Sequence, residues 1–307
     1  MMLQHSLTLV GPKQLEWKSK VLPPIEEDEV LIRTIAGAIS IGAELPQYSE
    51  TDVTDPNPSY PRETGYESYG KVVEIGREVW GLKVGDHVIA TYGHKDYSIE
   101  KGHNVVKVPE SINYTYALLN TLSCDAGKGV LKLNPEPKDR VLVAGAGTMG
   151  LLTIHFLKNY VGVEQVDVID PILRRGEVAE VLGAKYILKE SSTVYDFGIE
   201  CSSSKAGFDA LLRAMKRNGD ICVLSDGNKD LLYLNEDFYE KELRIVGSSD
   251  GWDYHKHARW FFDCYKKTPQ LQDIFQHEIK SNELIDCFEE LSQHTINPLK
   301  VLVRYEE

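Results

Sequence analysis

Residues 140–150, RVLVAGAGTMG, constrain this chain more than any other stretch. Val141-Leu142-Val143-Ala144 is an unbroken apolar run of strand length, and residues 151–157 carry apolar side chains at helical spacing. The turn between them spaces its glycines as G-x-G-x-x-G. Gly145 permits the tight turn, Gly147 lets the backbone approach a pyrophosphate, and Gly150 lets the helix pack closely on the strand. Thr148 and Met149 fall in the first helical turn, whose N–H groups and positive dipole end attract phosphate. A second strand, Gln165–Ile169, ends at Asp170, about 20 residues after the last glycine, where an acid grips an adenosine ribose. Together these features predict a dinucleotide site. Asp170 would repel a 2′-phosphate, so NAD is expected over NADP; Arg174 and Arg175, close behind it, read either as adenine contacts or, in another setting, as partners of a 2′-phosphate. Asp170 also reads as a turn residue ahead of Pro171.

A net charge of −13 argues against a broad surface for nucleic acid or anionic lipid. The five cysteines are scattered without a CxxC, which fits neither a disulfide framework nor a zinc ribbon; Cys201 and Cys222 read as small core residues. The first residues lack a basic region followed by a long apolar one, and no apolar run reaches about 18 residues. The expectation is a cytoplasmic protein with a small-molecule substrate, binding neither nucleic acid nor membrane.

Up to about residue 110 the chain reads as short strands separated by turns, with period-two alternation in residues 29–35, 70–76 and 86–90. Residues 51–61, rich in Pro and Asp, read as a loop that either borders a site or is merely solvated. After residue 113 helices and strands alternate, with strands at 140–144, 165–169, 186–188, 195–201, 221–224 and 243–247. That alternation predicts an α/β fold, a doubly wound parallel sheet with helices on both faces. Residues 258–265 and 284–293 read as amphipathic helices and residues 300–303 as a last strand. The carboxyl ends of the strands should carry further cofactor contacts, at Cys201-Ser202, Ser225-Asp226 and Ser248-Ser249-Asp250. His255-x-His257 is expected to face solvent in a loop rather than bind a metal.

The order of these pieces resembles the medium-chain dehydrogenase/reductase superfamily over essentially the whole chain. The resemblance is carried by residues 65–76 (GYESYGKVVEIG), 84–88 (VGDHV), the glycine loop, Leu182-Gly183-Ala184 and residues 245–248 (IVGS). It implies a GroES-like β-rich catalytic domain over residues 1–115 completed by 276–307, and a Rossmann domain over 116–275. It also implies a homodimer joined near residues 243–250. Zinc-dependent members place a Cys, a His and a third Cys or acid on the catalytic metal. Those positions match Ser40, Tyr66 and Asn120 or Thr121 here, none a good zinc ligand, and the four-cysteine structural lobe has no counterpart. A zinc-free protein is therefore expected. Within the superfamily, residues 39–44 (ISIGAE) with residues 65–68 (GYES) are similar to the bacteriochlorophyllide hydroxyethyl dehydrogenase-like branch. That similarity implies interconversion of a secondary alcohol, polyol or cyclitol and its ketone with NAD.

Without zinc, a side chain must steady the substrate oxygen. Tyr66 either polarises that oxygen or fills the space a metal leaves, and its ordinary pKa of about 10 makes it a poor base unless a cation such as Lys128 or His94 stands close. Glu67, Glu44 and Ser40 either order this network or are structural groups paired with a buried Arg or a backbone N–H. Two other readings stay open: an NADPH-dependent quinone or enoyl reductase, and a catalytically idle NAD(H)-binding protein.

Overall fold

The computed structural model describes residues 2–187, 194–225 and 230–306, and the chain divides into two compact units. The first comprises residues 1–121 and 265–307, the second residues 122–264. These limits lie inside the expected ones, and aromatic packing explains the shift. The helix Tyr114–Leu118 stacks Tyr114 near Tyr69, and its buried Tyr116 meets Tyr265 edge-on at 4.9 Å between ring centroids. Thr115 Oγ1 also donates to Gln272 Oε1 at 3.0 Å. Residues 116–121 and 265–275 thus belong with the first unit.

The second unit is a six-stranded sheet in the order Lys185–Tyr186, Gln165–Ile169, Arg140–Ala144, Tyr195–Glu200, Met215–Val223, Arg244–Gly247, every pair parallel. In sequence order this is 3-2-1-4-5-6, the doubly wound Rossmann arrangement, with the topological switch beside Arg140–Ala144. Covered on both faces, that central strand buries four consecutive apolar residues, hence its unbroken hydrophobic run. The third expected strand is shorter than predicted, and Leu188 lies outside the described residues.

The first unit holds a seven-stranded sheet, Phe275–Lys280, Lys300–Arg304, Glu29–Ile39, Glu67–Ile75, His87–Ala90 and Val106–Lys107, with Tyr97–Lys101 also paired to Glu29–Ile39. A smaller sheet joins Gln14–Val21, Leu3–Gly11 and Arg62–Glu63. The expected alternation in residues 29–35 is interrupted: Val30, Leu31 and Ile32 are all buried. Register shifts after Leu31 and Thr34 reverse which face each side chain takes, and this strand has neighbours on both edges. One core, including Leu7, Ile39, Phe288 and Val301, seats the helices Ile41–Ser49 and Leu284–Ser292 against these sheets. No described helix is long and apolar enough to cross a membrane.

Candidate functional site

In the second unit the glycine turn leads from Arg140–Ala144 into the helix Thr148–Phe156. Gly145 sits at φ +96°, and a Cβ there would stand 2.9 Å from the backbone of Cys201 and Ser202, so only glycine fits. At Gly150 a Cβ would fall 1.8 Å from the carbonyl oxygen of Gly145, so the helix rides directly on the turn. A Cβ on Gly147 would meet nothing within 4 Å, leaving open space over the helix N-terminus, and no side chain caps that end. Thr148 and Met149 occupy its first turn. An uncapped N-terminus beside open space is the cradle that a pyrophosphate requires.

Asp170, at the end of the neighbouring strand, takes the turn role expected of it. Its Oδ2 accepts the Ala146 N–H at 2.7 Å and its Oδ1 accepts the Ile172 N–H at 2.8 Å, so it shapes the glycine turn as well as its own. A carboxylate has about four lone-pair sites, which leaves acceptor capacity for ribose hydroxyls. A cavity of about 440 Å³ opens beside it, lined by Asp170, Ile169, Ile187, Tyr195, Ser202 and Arg213 among others. That volume suits a small ligand group such as an adenosine. Among the described lining residues the cation is Arg213, which sequence reasoning missed. Arg175 lies on the helix Leu173–Val181 and does not line this cavity. Arg213 ends a helix distant in sequence, so no local spacing marked it.

The remaining strand ends divide into structural groups and unsatisfied ones. The Cys201 thiol lies 3.8 Å from Thr153 Oγ1; burial, reinforced by the Glu200 charge, pushes the thiol well above its ordinary range. Only its backbone approaches the glycine turn. Ser202 donates its N–H and hydroxyl to Glu200 Oε1. Glu200 Oε2, Ser225 Oγ and Ser248 Oγ, at or just beyond the ends of three successive strands, are buried without a hydrogen-bond partner. Buried polar atoms normally find partners. Groups at the carboxyl edge that lack them fit a polar ligand such as a nicotinamide carboxamide or ribose. Asp226 lies outside the described residues.

Lys128, one of the two cations named for Tyr66, holds backbone at a strand end. It belongs to the second unit, where its ammonium donates to the Ser249 carbonyl at 2.7 Å and, with Lys132 on Gly247, secures the end of the last strand. His255 and His257 lie on the helix Tyr254–Cys264, not in a loop, and His257 is buried rather than solvent-facing. It stacks on Phe156 and Phe261 and shares a 2.9 Å hydrogen bond with Ser123 Oγ; burial lowers its pKa to about 3.

In the first unit the candidate catalytic residues form a buried polar network. The Ser40 hydroxyl donates to Glu67 Oε1, and Lys300 Nζ donates to the same oxygen at 2.6 Å and lies 3.2 Å from Ser40 Oγ. The Ser40 backbone N–H donates to Glu44 Oε1 at 2.7 Å. A carboxylate only accepts, so the His94 Nε2–H donates to Glu44 Oε2, at 3.0 Å. Glu67 is fully buried and Lys300 is 1% exposed. Burial pushes the Glu67 carboxyl up, opposed by Lys300 and Ser40. Tyr66, next in the chain, is half-buried, and at the third position Asn120 Oδ1 is buried without a partner. The structure thus joins Ser40, Glu44, Glu67 and His94, and supplies Lys300 where a buried Arg was one expectation. Nothing in a single Lys within a strand pattern distinguishes it beforehand.

This donor set suits hydrogen bonding rather than metal binding, since a cation near Ser40 would face the Lys300 ammonium. No described group of three or more His, Cys, Asp or Glu residues is arranged to hold a metal.

Residues 26–127 match the alcohol dehydrogenase GroES-like domain family. L-threonine 3-dehydrogenase of Vibrio cholerae serotype O1 is 25% identical over 263 residues, covering 71% of this chain and 76% of its own length. The enzyme of the same name from Shewanella sp. strain ANA-3 is 26% identical over 66% of this chain and 71% of its own length. Among solved structures, the 2R,3R-butanediol dehydrogenase of Bacillus subtilis superposes with a TM-score of 0.82 at 20% identity, covering 98% of this chain and 99% of its own. An Escherichia coli oxidoreductase/dehydrogenase of unknown specificity covers both chains fully, at a TM-score of 0.85 and 18% identity. With a GroES-like unit, a Rossmann unit built on its glycine turn and dehydrogenases as relatives, this chain belongs to the medium-chain dehydrogenase/reductase superfamily and is a dehydrogenase-type oxidoreductase.

Proposed function

We propose that this protein interconverts a secondary alcohol and its ketone with NAD(H), without zinc. The observation that carries the reading is Asp170 at the end of the second strand, holding the glycine turn and facing the adjoining cavity. A bound nicotinamide dinucleotide supplies the hydride acceptor. The uncapped helix at Gly147–Gly150 holds the pyrophosphate, and Asp170 accepts from the ribose hydroxyls, an arrangement that a 2′-phosphate would oppose by like charge. Glu200 Oε2, Ser225 Oγ and Ser248 Oγ offer polar contacts on the far half of the cofactor.

The first unit supplies the groups for the substrate. Tyr66 Oη donates to the carbonyl oxygen during reduction and, as the phenol, to the developing alkoxide during oxidation, the hydroxyl proton passing to water. Ser40, Glu67 and Glu44 keep the adjoining backbone and charge in place, which supports the ordering role foreseen for them. The committed hydrogen bonds of Ser40 and the ammonium of Lys300 support chemistry without a metal. Pairing of two copies through the outer edge of Arg244–Gly247 accords with this reading, because that strand is last in its sheet.

Fluorescence titration of NADH against NADPH, with metal analysis of the purified protein, tests the cofactor assignment; preference for NADPH would reverse it and favour the reductase reading. A panel of secondary alcohols, polyols and ketones then tests the reaction. Tyr66→Phe should lower kcat about 100-fold on a turned-over substrate, the scale of general acid–base catalysis. Unchanged turnover would remove Tyr66 from the chemistry.

A further inference from the structure

Lys300 takes no step in the reaction outlined above, yet its side chain is 1% exposed and bonded to Glu67. The last strand pairs antiparallel with Glu29–Ile39, Val301 opposite Ile39, and that register carries Lys300 level with Ser40. The same central strand sets Ala38 opposite Glu67 on its other side. Three backbone segments therefore bring one cation, one hydroxyl and one carboxylate together at a fixed level.

Their hydrogen bonds are unequally shared. Glu67 Oε1 receives both the Lys300 ammonium and the Ser40 hydroxyl, whereas Oε2 is buried with no donor. The ionised carboxylate is therefore held at one oxygen only. The charged groups around it are Lys300 on the last strand, Glu44 on the helix Ile41–Ser49, and His94 in the loop after His87–Ala90. Buried Tyr305 also feels Glu44. Glu44 opposes a negative Glu67, and the His94 imidazole is engaged with Glu44. Among the described residues, only Lys300 sets a positive charge directly on Glu67.

We propose that Lys300 is a positioning residue: its ammonium keeps Glu67 ionised and, through that carboxylate, fixes the Ser40 hydroxyl and the backbone bearing Tyr66. This rests on the reading that the network orders the group facing the substrate oxygen. Removing the ammonium makes the protonated form of Glu67 the stable one to higher pH. Protonation occupies a carboxyl oxygen with hydrogen, so the Ser40 hydroxyl loses its charged acceptor.

The test is an infrared pH titration of the full-length protein, with Glu67→Gln identifying the Glu67 carboxyl band. In Lys300→Met that band should persist to a pH about 1–3 units above its wild-type midpoint, the effect of losing an adjacent opposite charge. Lys300→Arg should return the midpoint toward wild type. An unshifted midpoint in Lys300→Met overturns the proposal. If that variant does not fold, Lys300→Gln keeps a donor without the charge; it should show the same upward shift, and a wild-type midpoint there is equally fatal. On any substrate the protein turns over, the acid limb of the Lys300→Met kcat profile should move upward with the band. The infrared midpoint needs no turnover, so failure of the dehydrogenase reading and failure of this proposal are separately visible.

Discussion

The two units place their polar chemistry in opposite ways. In the second, the candidate binding groups are backbone N–H groups, a turn-forming Asp170 and hydroxyls at strand ends, drawn from successive strands of one sheet. In the first, Ser40, Glu44, Glu67, His94 and Lys300 are nearly closed to solvent and joined to one another. The first arrangement depends on close backbone approach, so added volume damages it. The second depends on charge balance in a desolvated place, so a change of charge damages it.

The largest effects should follow that division. Gly150→Val places side-chain carbons where the Gly145 carbonyl oxygen already lies; it should destabilise the second unit by more than about 3 kcal/mol and abolish NADH binding. Titration of NADH fluorescence with a parallel denaturation curve checks this. Retained binding would show that the turn tolerates strain.

Lys300→Met is next, at about 3–5 kcal/mol for breaking a buried ion pair. The loss should depend on pH. The Glu67 carboxyl already lies above its unfolded value of 4.5, and the variant raises it further. A raised acid stabilises the fold below its unfolded pKa, and that contribution is lost as pH rises through the folded one. Urea midpoints of the variant should therefore lie closer to wild type at pH 5 than at pH 8; an equal gap would mean that packing, not charge, is lost.

The second unit should show the contrary slope. Burial holds His155 at about 4 and His257 at about 3, against 6.5 unfolded. Their neutral forms favour the fold above pH 6.5, and the advantage falls away as pH drops toward 4 and 3. A loss on the order of a few kcal/mol is expected by pH 4. It can be followed by Trp252 and Trp260 fluorescence in a chain lacking Trp17 and Trp80. The pair His257→Phe with Ser123→Ala should flatten the slope without leaving the serine unpaired.

The smallest effect should come from Trp80→Ser, because Trp80 is 91% exposed. A change within about 0.5 kcal/mol is expected, read as the thermal midpoint. A larger loss would place Trp80 in a contact made in solution.

The same contrast governed what could be read beforehand. The glycine turn was legible because its elements are consecutive and the geometry of each glycine is a local demand. Asp170 was legible by its distance along the chain, though not its hydrogen bonds to Ala146 and Ile172. Arg213 was not, because the cavity gathers it from a separate helix. His257 misled because a His between Lys and Ala in a polar run gives no sign of the aromatic cluster that buries it.

The sequence alone determined the parallel sheet and its glycine turn, since periodicity and spacing are properties of neighbouring residues, while the family resemblance marked Ser40 and Tyr66. Only the tertiary structure decided which cation meets Glu67. Lys300 lies 233 residues away and reaches it through the pairing of Lys300–Arg304 with Glu29–Ile39. The strength of that ion pair comes from the exclusion of water, which no stretch of sequence contains by itself.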